Sequence, residues 1–114
     1  MTTLFSRDVQ VAVLSSGSKG NCTYIGDGTS GVLIDCGLST KQILARMKAS
    51  GLEDAPINAV LVTHEHSDHA GSCRILCNKL EKMYGKAVPF HMTPGTAQSL
   101  KPQVVPHCLE TIEA

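Results

Sequence analysis

The seven-residue segment Thr63-His64-Glu65-His66-Ser67-Asp68-His69 constrains this chain more than any other, because it brings three imidazoles and one aspartate together. The whole chain contains only five His. Imidazole is the commonest metal ligand in proteins, and imidazole beside carboxylate suits a divalent transition metal, zinc first, with manganese or iron also possible. The segment therefore predicts a metal site whose candidate ligands are His64, His66, Asp68 and His69.

The spacing of these residues excludes the helical zinc-protease signature. That signature, His-Glu-x-x-His, needs a second imidazole four residues after the first, whereas the residue four after His64 is Asp68. The pattern His-x-His-x-Asp-His suits a loop instead, in which His64 and His66 point the same way and Asp68 and His69 follow at a turn. Two pairs of ligands are what a site with two metals about 3.5–4 Å apart requires.

The hydrophobic pattern alternates short apolar strands with amphipathic helices. Buried strands alternating with helices predict a layered α/β fold in which helices cover at least one face of the sheet. We expect a strand at Ala59–Val62 to lead directly into the metal segment. The other expected strands are 9–15, 22–26, 31–35, 87–92 and one beginning at 104–105, and the expected helices are 41–50 and 70–84, with a short turn of helix at 94–100.

Three further features each admit a functional and a structural interpretation. Asp35 ends an apolar strand, where a carboxylate either serves a site or caps the turn. The small-residue loop Ser15–Asn21 either cradles an anion through its glycines or forms a tight hairpin loop. Cys73 and Cys77 belong either to the core or to a soft-metal site. They fall on the expected apolar face of the second helix, together with Leu76, Leu80, Met83 and Tyr84.

The composition bounds the class of protein. A chain of 114 residues is one domain at most, and its formal net charge of zero gives no electrostatic footprint for nucleic acid. Five Cys without a secretory signal predict reduced thiols in the cytoplasm. No apolar run approaches the length of a membrane span, so we expect a soluble protein with no membrane partner.

Several of these motifs together resemble the metallo-β-lactamase-fold hydrolases. The segment Leu33–Gly37, reading Leu-Ile-Asp-Cys-Gly, and the segment Thr63–Gly71 look like the N-terminal half of that fold. Ser15–Cys22 and Pro94-Gly95-Thr96 are similar to the YycJ (WalJ) branch, whose members are regarded as nucleic-acid hydrolases. The resemblance implies an α/β (α+β) fold in which residues 1–114 form part of an αββα sandwich, with a mixed sheet and covering helices.

The resemblance also implies roles for the candidate residues. His64 and His66 would bind one metal, and Asp68 and His69 a second, with zinc favoured over manganese or iron. Asp35 would lie behind the ligands and orient their loop, and Asp68 would also act in catalysis by orienting the attacking water. The implied activity is metal-dependent phosphodiester hydrolysis with nucleic acid as substrate. The alternatives are a thioester, lactone or lactam hydrolase, or a metal-binding or interaction module without catalytic activity.

One departure from the family pattern limits these expectations. In the complete fold a second half supplies a further His, a bridging Asp and a final His, whereas this chain ends at Ala114, apparently within an element. His91 and His107 lack the expected surroundings, and we do not assign them as ligands. We therefore expect two metals in a complete domain but at most one tightly bound here, little or no activity from this chain alone, and a homodimer through the uncovered sheet face.

Overall fold

The computed structural model describes residues 2–3, 9–18, 20–63, 72–100 and 108–111. Except for a short strand at residues 2–3, which was not predicted, the described strands and helices follow the order that the hydrophobic pattern predicts. The strand expected to begin at 104–105 starts outside the described residues. The strands are β1 (Thr2–Thr3), β2 (Gln10–Ser15), β3 (Cys22–Gly26), β4 (Gly31–Ile34), β5 (Ala59–Leu61), β6 (Phe90–Met92) and β7 (Leu109–Thr111). The helices are α1 (Thr40–Ala49), α2 (Cys73–Tyr84) and α3 (Pro94–Ser99).

The described strands form one mixed sheet in sequence order, β1-β2-β3-β4-β5-β6-β7. Neighbouring strands from β1 to β4 are antiparallel, and those from β4 to β7 are parallel. A parallel pair needs a crossover connection, which α1 supplies between β4 and β5 and α2 between β5 and β6. The carboxyl ends of β4, β5 and β6 consequently meet at one edge of the sheet. The mixed sheet with covering helices is confirmed.

One face of the sheet carries the core. Register places five apolar side chains in a row across neighbouring strands, and each is at most 4% exposed: Ala12, Tyr24, Leu33, Val60 and Phe90. Helix α1 adds Ile43 and Met47 to this core, and helix α2 adds Leu76 and Leu80. The helical spacing of these residues is what turns them toward the sheet.

The opposite face of the sheet is less buried in the part of the chain that the structure describes. Val13 is 65% exposed, and its neighbours on this face, Val11, Ile25 and Val32, are half-buried. Alternation of side chains along a strand explains why Val11 and Val13 face away from Ala12. The expectation that at least one face is covered is confirmed, and we call the less buried one the open face.

Helix α2 departs from its expected apolar stripe at its C-terminal end. Cys73 and Cys77 are buried as expected for core residues, but Met83 is 46% exposed and Tyr84 37% exposed. Both line a cavity of about 390 Å³ between the ends of α1 and α2. The Tyr84 hydroxyl accepts a hydrogen bond from the Ile57 backbone N–H at 3.1 Å, which holds the ring at the rim of the cavity.

The cysteines contradict part of the sequence prediction. The structure joins Cys77 and Cys108 in a disulfide, so the expectation that all five thiols are reduced is wrong for this pair. Cys22, Cys36 and Cys73 are free and buried. Cys77 and Cys108 are 31 positions apart, and their pairing depends on how β7 and α2 pack. Among the described helices, none has the length and apolar character to cross a membrane.

Candidate metal centre

The candidate site is at the carboxyl end of two adjacent parallel strands. Ile34, the last residue of β4, is in register with Leu61, the last residue of β5. The next residue, Asp35, donates its backbone N–H to the Leu61 carbonyl at 2.7 Å, which extends the ladder by one bond. Its side chain is nearly inaccessible to solvent, since the residue is 5% exposed. A strand end thus places a buried carboxylate at the edge of the sheet.

Asp35 is held in an unusual backbone conformation. Its φ of +66° makes it the one non-glycine residue with a left-handed φ among the described residues. Left-handed backbone costs an L-residue roughly 1–2 kcal/mol, and Asp tolerates it better than most because its short side chain can hydrogen-bond locally. Strain of this kind persists only where surrounding contacts compensate for it, and it is concentrated at functional sites.

Hydrogen bonds from Thr63 help to compensate for this strain. Oδ1 of Asp35 accepts hydrogen bonds from the Thr63 backbone N–H at 2.8 Å and from its hydroxyl at 2.9 Å. Oδ2 lies 2.9 Å from the same hydroxyl. The carboxylate therefore fixes both the backbone and the side chain of the residue that immediately precedes His64. Of the two interpretations of Asp35, support of a site is the one that this geometry favours.

The predicted metal ligands His64, His66, Asp68 and His69 lie outside the described residues. Their assignment as ligands, and that of Asp68 to catalysis, stays a prediction. Within the described ranges no group of three or more His, Cys, Asp or Glu residues could hold a metal ion. The role of Thr63 was not predicted from the sequence, although its place directly before the first imidazole was a signal for it.

A second set of contacts connects the same strand end to helix α2. The carbonyl oxygen of Cys36 accepts the backbone N–H of Ser72, the N-cap of α2, at 3.0 Å. The Sγ atoms of Cys36 and Cys73 are 3.5 Å apart, and both residues are at most 1% exposed. The hydrogen bond from Cys36 lowers the pKa of Cys73, and the same hydrogen bond together with burial raises the pKa of Cys36.

The third buried thiol behaves as an ordinary core group. Burial, and secondarily the negative charge of Asp35, raises the pKa of Cys22 to about 12. A thiol with so high a pKa keeps its proton at neutral pH and is a poor nucleophile. The soft-metal interpretation of the cysteines therefore gains no support from Cys22, and burial of Cys73 and Cys77 agrees with the core interpretation.

The small-residue loop between β2 and β3 has the geometry of a tight hairpin loop. The side-chain amide of Asn21 closes it, accepting from the Gly17 N–H at 3.1 Å and donating to the Gly17 carbonyl at 3.0 Å. Gly20 donates its own N–H to Gly17, so two of the amide groups are already used within the loop. Of the two interpretations of Ser15–Asn21, the hairpin is the one that these bonds favour over an anion cradle.

One of the other two imidazoles, that of His91, lies within the described part of the sheet. His91 is in the middle of β6, paired in register with Leu61 and Glu110. On the open face, its neighbours are therefore the apolar side chain of Leu61 and the acidic side chain of Glu110. His107 lies outside the described residues. Neither residue was assigned as a ligand from the sequence.

Comparison with protein families identifies the fold. Residues 16–99, more than half of the chain, match the model of the metallo-β-lactamase superfamily. The chain belongs to that superfamily. Asp35 and the segment after Thr63 both fall within the matched region.

Nucleases are among the relatives of this superfamily member. The chain is 41% identical over 70 residues to the exodeoxyribonuclease YycJ of Bacillus anthracis, a match covering 61% of the chain and 26% of the relative. It is 29% identical over 102 residues to a ribonuclease Z of Mycobacterium sp. (strain KMS), covering 81% of the chain and 35% of the relative. The matched region thus spans about a quarter to a third of the length of these proteins.

Solved structures show the same fold. A subclass B3 metallo-β-lactamase with an active-site glutamic acid superimposes with a TM-score of 0.68 at 22% identity, covering 96% of this chain and 44% of the lactamase. The short form of human tRNase Z superimposes with a TM-score of 0.58 at 16% identity, covering 91% of this chain and 46% of that protein. The chain therefore spans just under half of these structures, and what they share with it is the fold.

Proposed function

We propose that this chain is part of a metal-dependent hydrolase that cleaves phosphodiester bonds in nucleic acid. The observation that carries the proposal is the buried Asp35 carboxylate, which fixes Thr63 at the edge of the sheet immediately before the donor-rich segment. Two kinds of nuclease among the relatives, an exodeoxyribonuclease and a ribonuclease Z, favour nucleic acid as the substrate class.

The residues of the segment fit a divalent metal. The three imidazoles and the Asp68 carboxylate are the nitrogen and oxygen donors that zinc accepts, and manganese or iron fit where oxygen donors share the site. We propose that His64, His66, Asp68 and His69 hold the metal. When bound, such a metal lowers the pKa of water toward about 7 and polarises the phosphoryl oxygen under attack.

The chain's own residues would supply position and orientation. Asp35 and Thr63 fix the start of the ligand segment to the sheet, as buried carboxylates do for the ligands of other metal sites. Asp68 would orient the attacking water toward phosphorus.

The activity is tested with purified protein and a panel of substrates. For a product that contains the complete domain, we expect hydrolysis of single-stranded or duplex oligonucleotides that depends on added Zn²⁺ or Mn²⁺ and disappears in His66→Ala and Asp68→Ala. This chain alone should show little or no activity. His91→Ala, which removes an imidazole assigned no role in the site, is the matched control and should retain activity. Where the gene encodes residues beyond these 114, the full product is assayed beside the chain. Turnover of thioester or β-lactam substrates instead of oligonucleotides would contradict the substrate class.

Two finer expectations from the sequence also belong to the proposal. The 65% exposed Val13 and its half-buried neighbours support a homodimer through the open face, which sedimentation equilibrium at micromolar concentration would test. The cytoplasmic location rested on reduced thiols, and the disulfide between Cys77 and Cys108 removes part of that support. Cell fractionation would test the location directly.

A further inference from the structure

Both ends of the predicted ligand segment are attached to the same place in the fold. Thr63, at the start, hydrogen-bonds to the Asp35 carboxylate, and Ser72, just past the end, donates its backbone N–H to the Cys36 carbonyl. Thr63 and Ser72 are nine positions apart in the sequence, but the residues that hold them are consecutive. We call these two consecutive residues the Asp35–Cys36 clamp.

The left-handed backbone of Asp35 is part of the clamp. Successive side chains along a regular strand point to opposite faces of the sheet. If β4 continued as a regular strand, Asp35 and Cys36 would therefore not both be directed toward the ends of the segment. The φ of +66° breaks the strand at Asp35, after which the side chain of one residue and the carbonyl of the next reach the two ends of the same segment. The left-handed backbone of Asp35 thus allows two contacts, one from its own carboxylate to Thr63 and one from the Cys36 carbonyl to Ser72. This is consistent with strain that is retained because it positions a site.

The thiols of Cys36 and Cys73 strengthen the second anchor. The Ser72 N–H to Cys36 bond positions one backbone group, and the 3.5 Å contact between the two Sγ atoms adds a side-chain contact one residue further along. Both thiols are in the core, where a hydrogen bond is not weakened by competing water. Removing either sulfur would leave a gap beside the helix N-cap and loosen the point at which α2 begins.

We propose that Cys36 is a positioning residue for the ligand segment, holding its C-terminal end through Ser72 and Cys73 while Asp35 holds its N-terminal end. The inference rests on the proposed function, because the segment being positioned is the one proposed to carry the metal ligands. Its physical effect is preorganisation: ends that are already held together reduce the ordering cost of gathering four ligands around an ion.

The test separates the clamp from the metal site by using two measurements. Hydrogen exchange of the metal-free chain reports whether residues 63–72 open more readily in Cys36→Ala and Cys73→Ala. Binding of Co²⁺, followed by chelator competition and by its d–d absorption spectrum, reports whether the ligands are still correctly placed. Cys22→Ala is the matched control, since Cys22 is a free thiol buried in the same core and 1% exposed.

We expect Cys36→Ala and Cys73→Ala each to speed amide exchange in residues 63–72 about tenfold or more relative to Cys22→Ala. Their affinity for Co²⁺ should fall by about 10- to 100-fold, as for other residues that orient metal ligands, with a changed absorption spectrum. Cys36→Ser keeps a hydrogen-bond donor of similar size, so its amide exchange rates and its Co²⁺ affinity should return most of the way to those of the unsubstituted chain. It also serves as the second variant if Cys36→Ala folds poorly.

Each contrary result overturns a different statement. Unchanged exchange and unchanged Co²⁺ affinity in folded Cys36→Ala would overturn the role of the Cys36 thiol while leaving the metal site intact. Absence of Co²⁺ binding by the unsubstituted chain would overturn the proposed metal function. Equal effects in Cys22→Ala and Cys36→Ala would show that loss of any core thiol loosens the segment, and that would also overturn the specific role of Cys36.

Discussion

Replacing Asp35 tests whether its strained backbone and its hydrogen bonds are linked as described. Asp35→Ala removes the acceptor of two Thr63 donors, the backbone N–H and the hydroxyl. Hydrogen bonds to charged groups contribute about 1.5–3 kcal/mol each, and the exposure of Thr63 places both at the lower end, for a loss of about 3 kcal/mol. Alanine at a φ of +66° adds about 1 kcal/mol more, since it lacks a local hydrogen bond.

Asp35→Gly separates the two contributions. It loses the same hydrogen bonds, but glycine adopts positive φ without steric cost, so the total loss should be about 3 kcal/mol instead of about 4. In an ordinary strand, glycine is less stable than alanine by roughly 0.5–1 kcal/mol, so the expected order at this position is reversed. Asp35→Asn tolerates the left-handed backbone and keeps one acceptor, and it should be the least destabilising of the three.

The assay is equilibrium unfolding in urea, followed by circular dichroism, on the metal-free chain. Total stabilities of domains are about 5–15 kcal/mol, so losses of 3–4 kcal/mol should shift the midpoint far beyond experimental error. If the unfolding free energy of Asp35→Ala is within about 0.5 kcal/mol of that of the unsubstituted chain, the usual range for surface changes, the Thr63 hydrogen bonds to Asp35 do not stabilise the fold as described. An Ala variant more stable than the Gly variant would refute the role of backbone strain.

Three other predictions concern the core. The folded chain keeps the Cys22 proton up to its pKa of about 12, whereas the unfolded chain loses it above about pH 9. The free energy of unfolding should therefore fall as the pH rises through this range, by at most about 1.4 kcal/mol per pH unit. Cys22→Ala should make this pH dependence less steep. Thiol titration of the denatured, unreduced chain should find three free thiols, whereas five would contradict the disulfide. Gly31→Ala should lower the unfolding free energy by about 1–3 kcal/mol, because the added Cβ would meet the Tyr24 ring and approach the Pro56 carbonyl oxygen to 2.6 Å. A melting temperature equal to that of Gly95→Ala, where the surroundings are open, would count against it.

Much of the fold follows from the sequence because its signals are local. The apolar run before the metal segment predicted a strand at Ala59–Val62, and the structure has one at Ala59–Leu61. Ser39 caps α1 through a hydrogen bond from the Gln42 N–H, as a Ser before an amphipathic run predicts. The glycines at 51 and 85 both adopt positive φ just after a helix, where the helices were expected to stop.

What the sequence did not predict depends on contacts between distant residues. Periodicity showed which face of α2 is apolar but not where its cover ends, so Met83 and Tyr84 were expected in the core and are partly exposed. A pattern of cysteines contains no information about which pair will meet, so the disulfide was missed. The left-handed backbone of Asp35 was also missed, since Asp at a strand end is compatible with several conformations.

In the candidate site, too, features with a local sequence signal were predicted, and features that depend on contacts between distant residues were not. Asp35 was placed beside the site from its position at a strand end and from the family resemblance, and its bonds to Thr63 support that placement. The link from Cys36 to Ser72 and Cys73 joins positions more than thirty apart, and only packing of α2 against β4 reveals it. The ligand set itself was derived from donor chemistry and resemblance, and it stays a prediction.

X-ray absorption at the zinc edge tests the central claim, that the segment from His64 to His69 binds the metal, more directly than any other measurement. We expect a first shell of nitrogen and oxygen alone at about 2.0–2.2 Å, with outer-shell scattering from imidazole rings. Zinc content should not exceed one tightly bound ion per chain, and it should be lost in His64→Ala and His66→Ala. A sulfur scatterer at about 2.3 Å would place the metal on the cysteines and contradict the account.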